Sequence, residues 1–239
     1  MMITCRGVSK RFTGRHGIVK AVDGVSLEIR KGEALGLVGE SASGKTTLGK
    51  IILGMMKPDA GEVVMNTKRP QVIFQDPYNS LDPKMRVAQI IGEGLIIGRR
   101  YGASPKEIKR KIEETVDLVK LERGALKKYP HEFSGGERQR IAIARAVVTE
   151  PEFIVCDEPV SSLDTTIQLG ILNLLKDIRR KFSMTYLFIS HDLRAVKFIC
   201  GRVAVMKEGR IVEEGSTGQI YRSPVHPYTK SLISSILEI

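Results

Sequence analysis

Aromatic residues make up only 5% of the 239-residue sequence. No basic run is interleaved with stacking side chains, which weakens a reading as a binder of single-stranded nucleic acid. There are only three cysteines, Cys5, Cys156 and Cys200, far apart and without metal-ligand spacing. That argues against a disulfide framework or a zinc site and suits a reducing compartment. No apolar run approaches the ~20 residues needed to cross a bilayer. Residues Met1 to Arg6 contain no signal-peptide apolar region, so a cytosolic chain is expected. The sequence also lacks internal repeats, low-complexity segments and long linkers.

What remains is a chain with 42% hydrophobic residues, long enough for one large α/β domain with room for an inserted subdomain. The formal net charge is +11, which is compatible with nucleic acid, an acidic membrane surface or an anionic ligand. The densest basic cluster is Arg99, Arg100, Lys106, Lys109, Arg110 and Lys111. A solvated helix face is the simpler account of it, and contact with anionic lipid at a cytoplasmic membrane face is the functional alternative.

The stretch that organises the chain is Gly39-Glu40-Ser41-Ala42-Ser43-Gly44-Lys45-Thr46. It fits G-x-x-x-x-G-K-[ST], the phosphate-binding loop of nucleotide hydrolases. The apolar run 33–38 before it reads as a buried parallel strand, and residues 47–53 after it read as a helix. A helix N-terminus offers free N–H groups and partial positive charge to an anion. Small residues at 41–44 let the backbone wrap a phosphate. Lys45 reaches the β- and γ-phosphates, and the Thr46 hydroxyl suits Mg²⁺.

Elsewhere the pattern is an alternation of strands and helices. Residues 3–30 read as antiparallel strands, with Val25, Leu27 and Ile29 alternating with polar neighbours. Phe12 precedes the nucleotide core and suits either adenine stacking or core packing, and local sequence favours packing. A turn is expected at 57–61, then strands at 62–65 and 71–74, the second leading to Gln75. Ligand groups in open α/β sheets sit at such carboxyl ends of strands. Residues 87–130 break the alternation and read as a helical insertion. In it Ser104-Pro105-Lys106-Glu107 forms a capping-box start, and Ile108, Ile112, Val116 and Val119 mark one packed face.

Phe133-Ser134-Gly135-Gly136-Glu137 opens a further helix, either as a second anion site or as a plain N-cap. The run 153–156 is a buried strand delivering Asp157 and Glu158. Asp157 suits a Mg²⁺ shell and Glu158 the polarising of an attacking water, although a helix N-cap would also account for the pair. Ser161-Ser162-Leu163-Asp164 is a turn into a helix, and the strand 184–189 ends at His191. A lone histidine is usually structural, but this position favours a γ-phosphate role. A hairpin turning at Glu208-Gly209 and a helical tail framed by Pro224 and Pro227 complete the chain.

In this order, the phosphate loop, Gln75, Ser134-Gly135-Gly136, Asp157-Glu158, Ser161 to Asp164 and His191 resemble the nucleotide-binding subunit of ABC transporters over essentially the whole chain. The resemblance implies an α/β fold: a P-loop NTPase core with a mostly parallel sheet, an N-terminal antiparallel β subdomain and an inserted α-helical subdomain. It implies one ATPase domain over 1–239, with the core at about 1–86 and 150–239 and the helical subdomain at 87–149. ATP and Mg²⁺ are the implied cofactors. The implied ATP-binding positions are Phe12, Gly39, Glu40, Ser41, Ala42, Ser43, Gly44, Lys45, Thr46, Thr47, Ser134, Gly135, Gly136 and Asp164. The implied metal positions are Thr46, Gln75 and Asp157, and the implied catalytic positions are Glu158 as base, His191 as switch and Gln75. Departures from the usual pattern are Ala42 for a glycine, tolerable if its φ is negative, Glu137 for a glutamine, expected to weaken γ-phosphate attraction slightly, and Phe12 for a tyrosine.

A narrower resemblance is carried by Gln75-Asp76-Pro77-Tyr78-Asn79-Ser80-Leu81-Asp82-Pro83-Lys84-Met85 and by Ser223-Pro224-Val225-His226-Pro227-Tyr228-Thr229. These look like the oligopeptide/dipeptide/nickel importer branch, and the tail without a cysteine cluster resembles the nickel-type members somewhat better. The implied partners are membrane permease subunits, a second ATPase subunit (identical or not) and, indirectly, an extracytoplasmic substrate-binding protein. No nucleic acid is expected, and the implied location is peripheral, at the cytoplasmic membrane face. Two other readings compete: an accessory ATPase of a cytosolic enzyme complex of the phosphonate-cleaving type, and a soluble ABC-type ATPase acting on nucleic acid.

Overall fold

The computed structural model describes residues 1–14, 17–67, 69–97 and 104–237. Ile3–Gly14 (β1) and Gly17–Ile29 (β2) form an antiparallel pair, as the alternation at 25–30 predicts, with Cys5 opposite Leu27 and Phe12 opposite Val19. Ala34–Val38 (β3) is buried at every residue and leads through the phosphate loop into Lys45–Ile52 (α1). Ala60–Met65 (β4) then returns to the free edge of β1, giving a three-stranded sheet in the order β2-β1-β4. The turn expected at 57–61 therefore ends at Asp59, because β4 begins at Ala60, which already pairs with Ser9 of β1.

Gln71–Ile73 (β5) is followed by a helical stretch: Pro77–Ser80 (α2), Val87–Ile97 (α3), Pro105–Leu118 (α4), two short 3-10 turns at Arg123–Lys127 and Pro130–Glu132, and Gly135–Val147 (α5). The capping box at Ser104 and Glu107 forms as the sequence predicts, with Pro105 in the first turn. Ile112, Val116 and Val119 are buried along the expected face.

The chain then returns to the sheet with Phe153–Asp157 (β6), Thr165–Phe182 (α6), Thr185–Ser190 (β7), Leu193–Ile199 (α7), Arg202–Lys207 (β8) and Arg210–Ser216 (β9). Two helices end it, Thr217–Arg222 (α8) and Pro227–Leu237 (α9). The second was expected from Pro224 and Pro227. The first was not, although Ser216 and Gln219 form its capping box.

The six-stranded sheet has the order β5-β6-β7-β3-β8-β9, parallel from β5 to β8 and closed by antiparallel β9. Strand side chains alternate between faces, so the sheet feeds two cores. Ala34, Val38, Ile154, Tyr186 and Phe188 pack in the same core as Val116, Ile141, Leu175 and Val196 from the helices. Leu35, Leu37, Val155, Leu187 and Ile189 pack with Leu48 and Ile51 of α1 and with Ile3, Val8 and Leu27 of the antiparallel sheet. The near-continuous apolar character of β3, β6 and β7 follows from burial on both sides.

The basic cluster resolves as a solvated helix face. Arg110 faces Glu114 at 3.7 Å, Lys109 faces Glu113 at 3.9 Å and Lys111 reaches Glu150 at 3.2 Å. Arg99 and Arg100 lie outside the described residues. No described helix is long and apolar enough to cross a membrane.

Candidate active site

The parallel strands β6, β7 and β3 lie side by side and in register, so their carboxyl ends deliver the candidate residues to one edge of the sheet. Beyond β3 the phosphate loop turns on two glycines that nothing else could replace. Gly39 has φ 155°, and a Cβ there would lie 2.1 Å from the Met206 carbonyl oxygen. Gly44 has φ 104°, and its Cβ would lie 1.9 Å from the Ala21 carbonyl oxygen. The condition set for Ala42, a negative φ, is not met. Its φ is 64°, in the left-handed region, so alanine occupies a conformation that favours glycine. The methyl group is tolerated because the residue is exposed.

Lys45 is buried at 4% exposure. Its ammonium donates to the Gly39 and Glu40 carbonyl oxygens at 2.8 and 2.7 Å and to Ser43 Oγ at 3.3 Å. Burial holds its pKa below the ordinary lysine value, partly offset by the charges of Glu158, Asp157 and Glu40. The cation is thus parked on neutral carbonyls, which a phosphate's charged oxygens outcompete. Thr46 Oγ1 donates to Asp157 Oδ1 at 3.0 Å. Burial pushes the Asp157 carboxyl up, and the Thr46 hydrogen bond only partly restores it. A buried carboxylate beside a hydroxyl is an all-oxygen donor pair with charge to neutralise. That fits a hard divalent cation of the Mg²⁺ kind, which takes one or two protein ligands and completes its shell with water and phosphate.

Glu158 has φ 49°. This left-handed turn directly after β6 is anchored by its own N–H, which donates to the Ile189 carbonyl of β7 at 2.9 Å. The strained turn carries the carboxylate to the end of β7, where Glu158 Oε2 and His191 Nδ1 are 3.0 Å apart. The N-cap alternative for the acid pair fails, since the cap of α6 is Asp164, whose carboxylate accepts from the Ile167 N–H at 3.1 Å. Gln75 is exposed two residues beyond β5. The pairing of Ile73 with Cys156 places it beside the carboxyl end of β6. Phe12 is 42% exposed, so the packing that local sequence favours is overturned. The ring stands on the β1–β2 hairpin opposite Val19, itself 62% exposed, with Lys10 Nζ 6.0 Å from its centroid.

Ser134, Gly135, Gly136 and Asp164 form a second, separate patch. Cβ atoms built on Gly135 and Gly136 would lie 3.5 Å from Leu163 and 2.6 Å from Ile167. Ser134 caps α5 in a capping box: its Oγ donates to Glu137 Oε2 at 2.7 Å, its N–H donates to the same oxygen at 2.9 Å, and the Glu137 N–H donates to Ser134 Oγ at 3.4 Å. The bonds to Oε2 hold the Glu137 carboxyl below the usual range. Sequence reasoning missed two supports of the phosphate loop. The Gly209 N–H donates to the Ser43 carbonyl at 3.0 Å, and the Glu40 N–H donates to Tyr228 Oη at 3.0 Å. Neither is local, so no spacing along the chain signals them.

The family model described as ABC transporter matches residues 22–161. The chain belongs to the ABC transporter family. Its relatives in that family include the oligopeptide transport ATP-binding protein OppF of Bacillus subtilis, 44% identical across 98% of this chain and 82% of the relative. The dipeptide transport ATP-binding protein DppF of Lactococcus lactis subsp. cremoris is 46% identical across 93% of this chain and 77% of the relative. Among solved structures, the bacterial ABC transporter cassette MJ0796, described as dimeric, superposes with a TM-score of 0.82 at 28% identity, over 90% of this chain and 99% of that one. A second structure of the same cassette is described as a post-hydrolysis state bound to ADP and Pi, with the same scores. The ABC cassette architecture, with an antiparallel N-terminal sheet beside a mixed, mainly parallel one, is the fold expected from the sequence.

Proposed function

We propose that this chain is the ATP-hydrolysing subunit of a membrane importer that takes up peptides, bound peripherally at the cytoplasmic face. The observation that carries the reading is the convergence of Lys45, Thr46, Asp157, Glu158 and His191 at the carboxyl ends of three adjacent strands, around a phosphate loop. In this reading Phe12 stacks on the adenine, and residues 39 to 47 wrap the phosphates with the loop amides and the N-terminus of α1. Lys45 exchanges its carbonyl partners for β- and γ-phosphate oxygens. Thr46, Asp157 and Gln75 hold Mg²⁺. When bound, the ion neutralises charge on the phosphates. Glu158 accepts a proton from the attacking water, and His191, already at its carboxylate, fixes that group and reads the γ-phosphate.

The second patch explains why two such chains are needed. In a single chain Ser134 to Gly136 pack beside Leu163 and Ile167, whereas α1 packs on β1, β2, β4, β6 and β7. In the proposed sandwich Ser134, Gly135, Gly136 and Asp164 meet the ATP held by a second ATPase subunit, identical or not. Hydrolysis then drives permease subunits docked near Gln75 and a helical subdomain spanning about 87–149, with a substrate-binding protein acting on the far side of the membrane. Peptide is favoured over nickel as cargo because these relatives are oligopeptide and dipeptide transport proteins. Purification of the tagged chain from membranes tests the assembly. Permease subunits that co-purify support it, and a soluble enzyme complex in their place refutes it.

A further inference from the structure

We infer that Tyr228 is a positioning residue of the phosphate loop, and that the Ser223–Thr229 motif exists to put its hydroxyl there. The inference deepens the ATPase reading and rests on it. The Glu40 N–H donates to Tyr228 Oη at 3.0 Å. The carbonyl of that same Gly39–Glu40 peptide unit accepts from Lys45 Nζ at 2.8 Å. One peptide plane is therefore held from both sides, by the tyrosine at its N–H and by the lysine at its oxygen. Hydrogen bonds to the two ends of an amide polarise each other, and fixing the plane fixes where the ammonium waits. The tyrosine takes an amide at the shoulder of the loop. The amides at the start of α1, which have no intrahelical partners, are left to a phosphate.

His226 of the motif and Glu213 of β9 serve this placement. Glu213 of β9 accepts from the Val225 and His226 N–H groups at 2.8 and 3.0 Å, seating the segment on the sheet. His226 Nδ1 accepts from the Tyr228 N–H at 3.1 Å, across the start of α9. Thr229 is fully buried, and Lys207 Nζ lies 4.9 Å from the Tyr228 ring centroid. Together with the bond from Gly209 to Ser43, this clamps the loop between the β8–β9 turn and the C-terminal helix.

The test is Tyr228→Phe, which keeps the ring and removes only the acceptor, with Tyr221→Phe as control. The Tyr221 hydroxyl also bonds the backbone, donating to the Leu193 carbonyl away from the phosphate loop. Equilibrium ATP binding to the isolated chain should weaken about three- to tenfold in Tyr228→Phe, at most about 1.4 kcal/mol, and stay unchanged in Tyr221→Phe. Hydrogen exchange at the Glu40 amide of the nucleotide-free chain should accelerate in the first variant alone. Unchanged ATP affinity in Tyr228→Phe would overturn the inference, as would an equal loss in Tyr221→Phe. Unchanged Glu40 exchange would overturn it without touching the ATPase reading. A wild-type chain that binds no ATP would overturn both.

Discussion

Ala42 is the most informative position in the phosphate loop, because its backbone contradicts its side chain. At φ 64° an alanine carries a left-handed penalty of about 1–2 kcal/mol. Glycine removes that penalty but adds unfolded-chain entropy worth about 0.4–1 kcal/mol. No packing is lost on removing the methyl, since the residue is exposed. The difference leaves Ala42→Gly between about zero and about 1.6 kcal/mol more stable, about 0.8 kcal/mol at the centre of the range. In a chain of this size the central value is a rise of about 2–3 °C in the melting temperature. Ala42→Val should go the other way, because a β-branched residue is a stronger outlier at positive φ. Thermal unfolding of the three nucleotide-free proteins decides it. A glycine variant that melts more than 2 °C below the wild type (a threshold about as large as the expected gain), or a valine variant as stable as the wild type, would refute the reasoning.

Phe12→Ala should raise the KM for ATP by on the order of tenfold, since stacking a base on an aromatic face is worth about 1–3 kcal/mol, while Phe12→Tyr should change it little. An unchanged KM in the alanine variant would remove Phe12 from the site. Asp157→Asn should melt higher than the wild type near neutral pH without metal, yet lose Mg²⁺-dependent hydrolysis. The sign follows from burial, which raises the Asp157 pKa in the fold. Its contribution is therefore favourable below the unfolded value of about 3.9 and is lost as pH rises through the raised one. The advantage of the variant should shrink toward pH 4, and an asparagine variant that melts lower at neutral pH would show that the carboxylate is not a burden on the empty site.

Much of this was readable along the chain because the signals are local. A glycine-bearing loop between a buried strand and a helix, a capping box at Ser104, and an apolar run ending in Asp157-Glu158 each fit within a few residues. Phe12 was misjudged because an aromatic on a strand reads as core unless the register is known. Here the pairing with Val19 places it toward an exposed hairpin end. Whether Ala42 met its condition could not be read, because nothing in composition reveals φ. Helix α8 was overlooked because a six-residue helix has too few turns to show a period. The contact of Tyr228 with Glu40 joins residues 188 positions apart, so the C-terminal motif could be noticed in the sequence but not placed. The separation of Ser134 from the phosphate loop likewise depends on α5 packing among the other helices, which no spacing encodes.

If Glu158 activates water for ATP hydrolysis, the steady-state rate of phosphate release from Mg²⁺-ATP must separate wild type from Glu158→Gln, each assayed alone and with the second ATPase subunit. The amide keeps the reach and the hydrogen bonding of the carboxylate but cannot take a proton. Release should fall by about 10²–10⁴-fold while ATP stays bound and the two-chain state accumulates. A Glu158→Gln protein that releases phosphate at the wild-type rate would contradict the assignment.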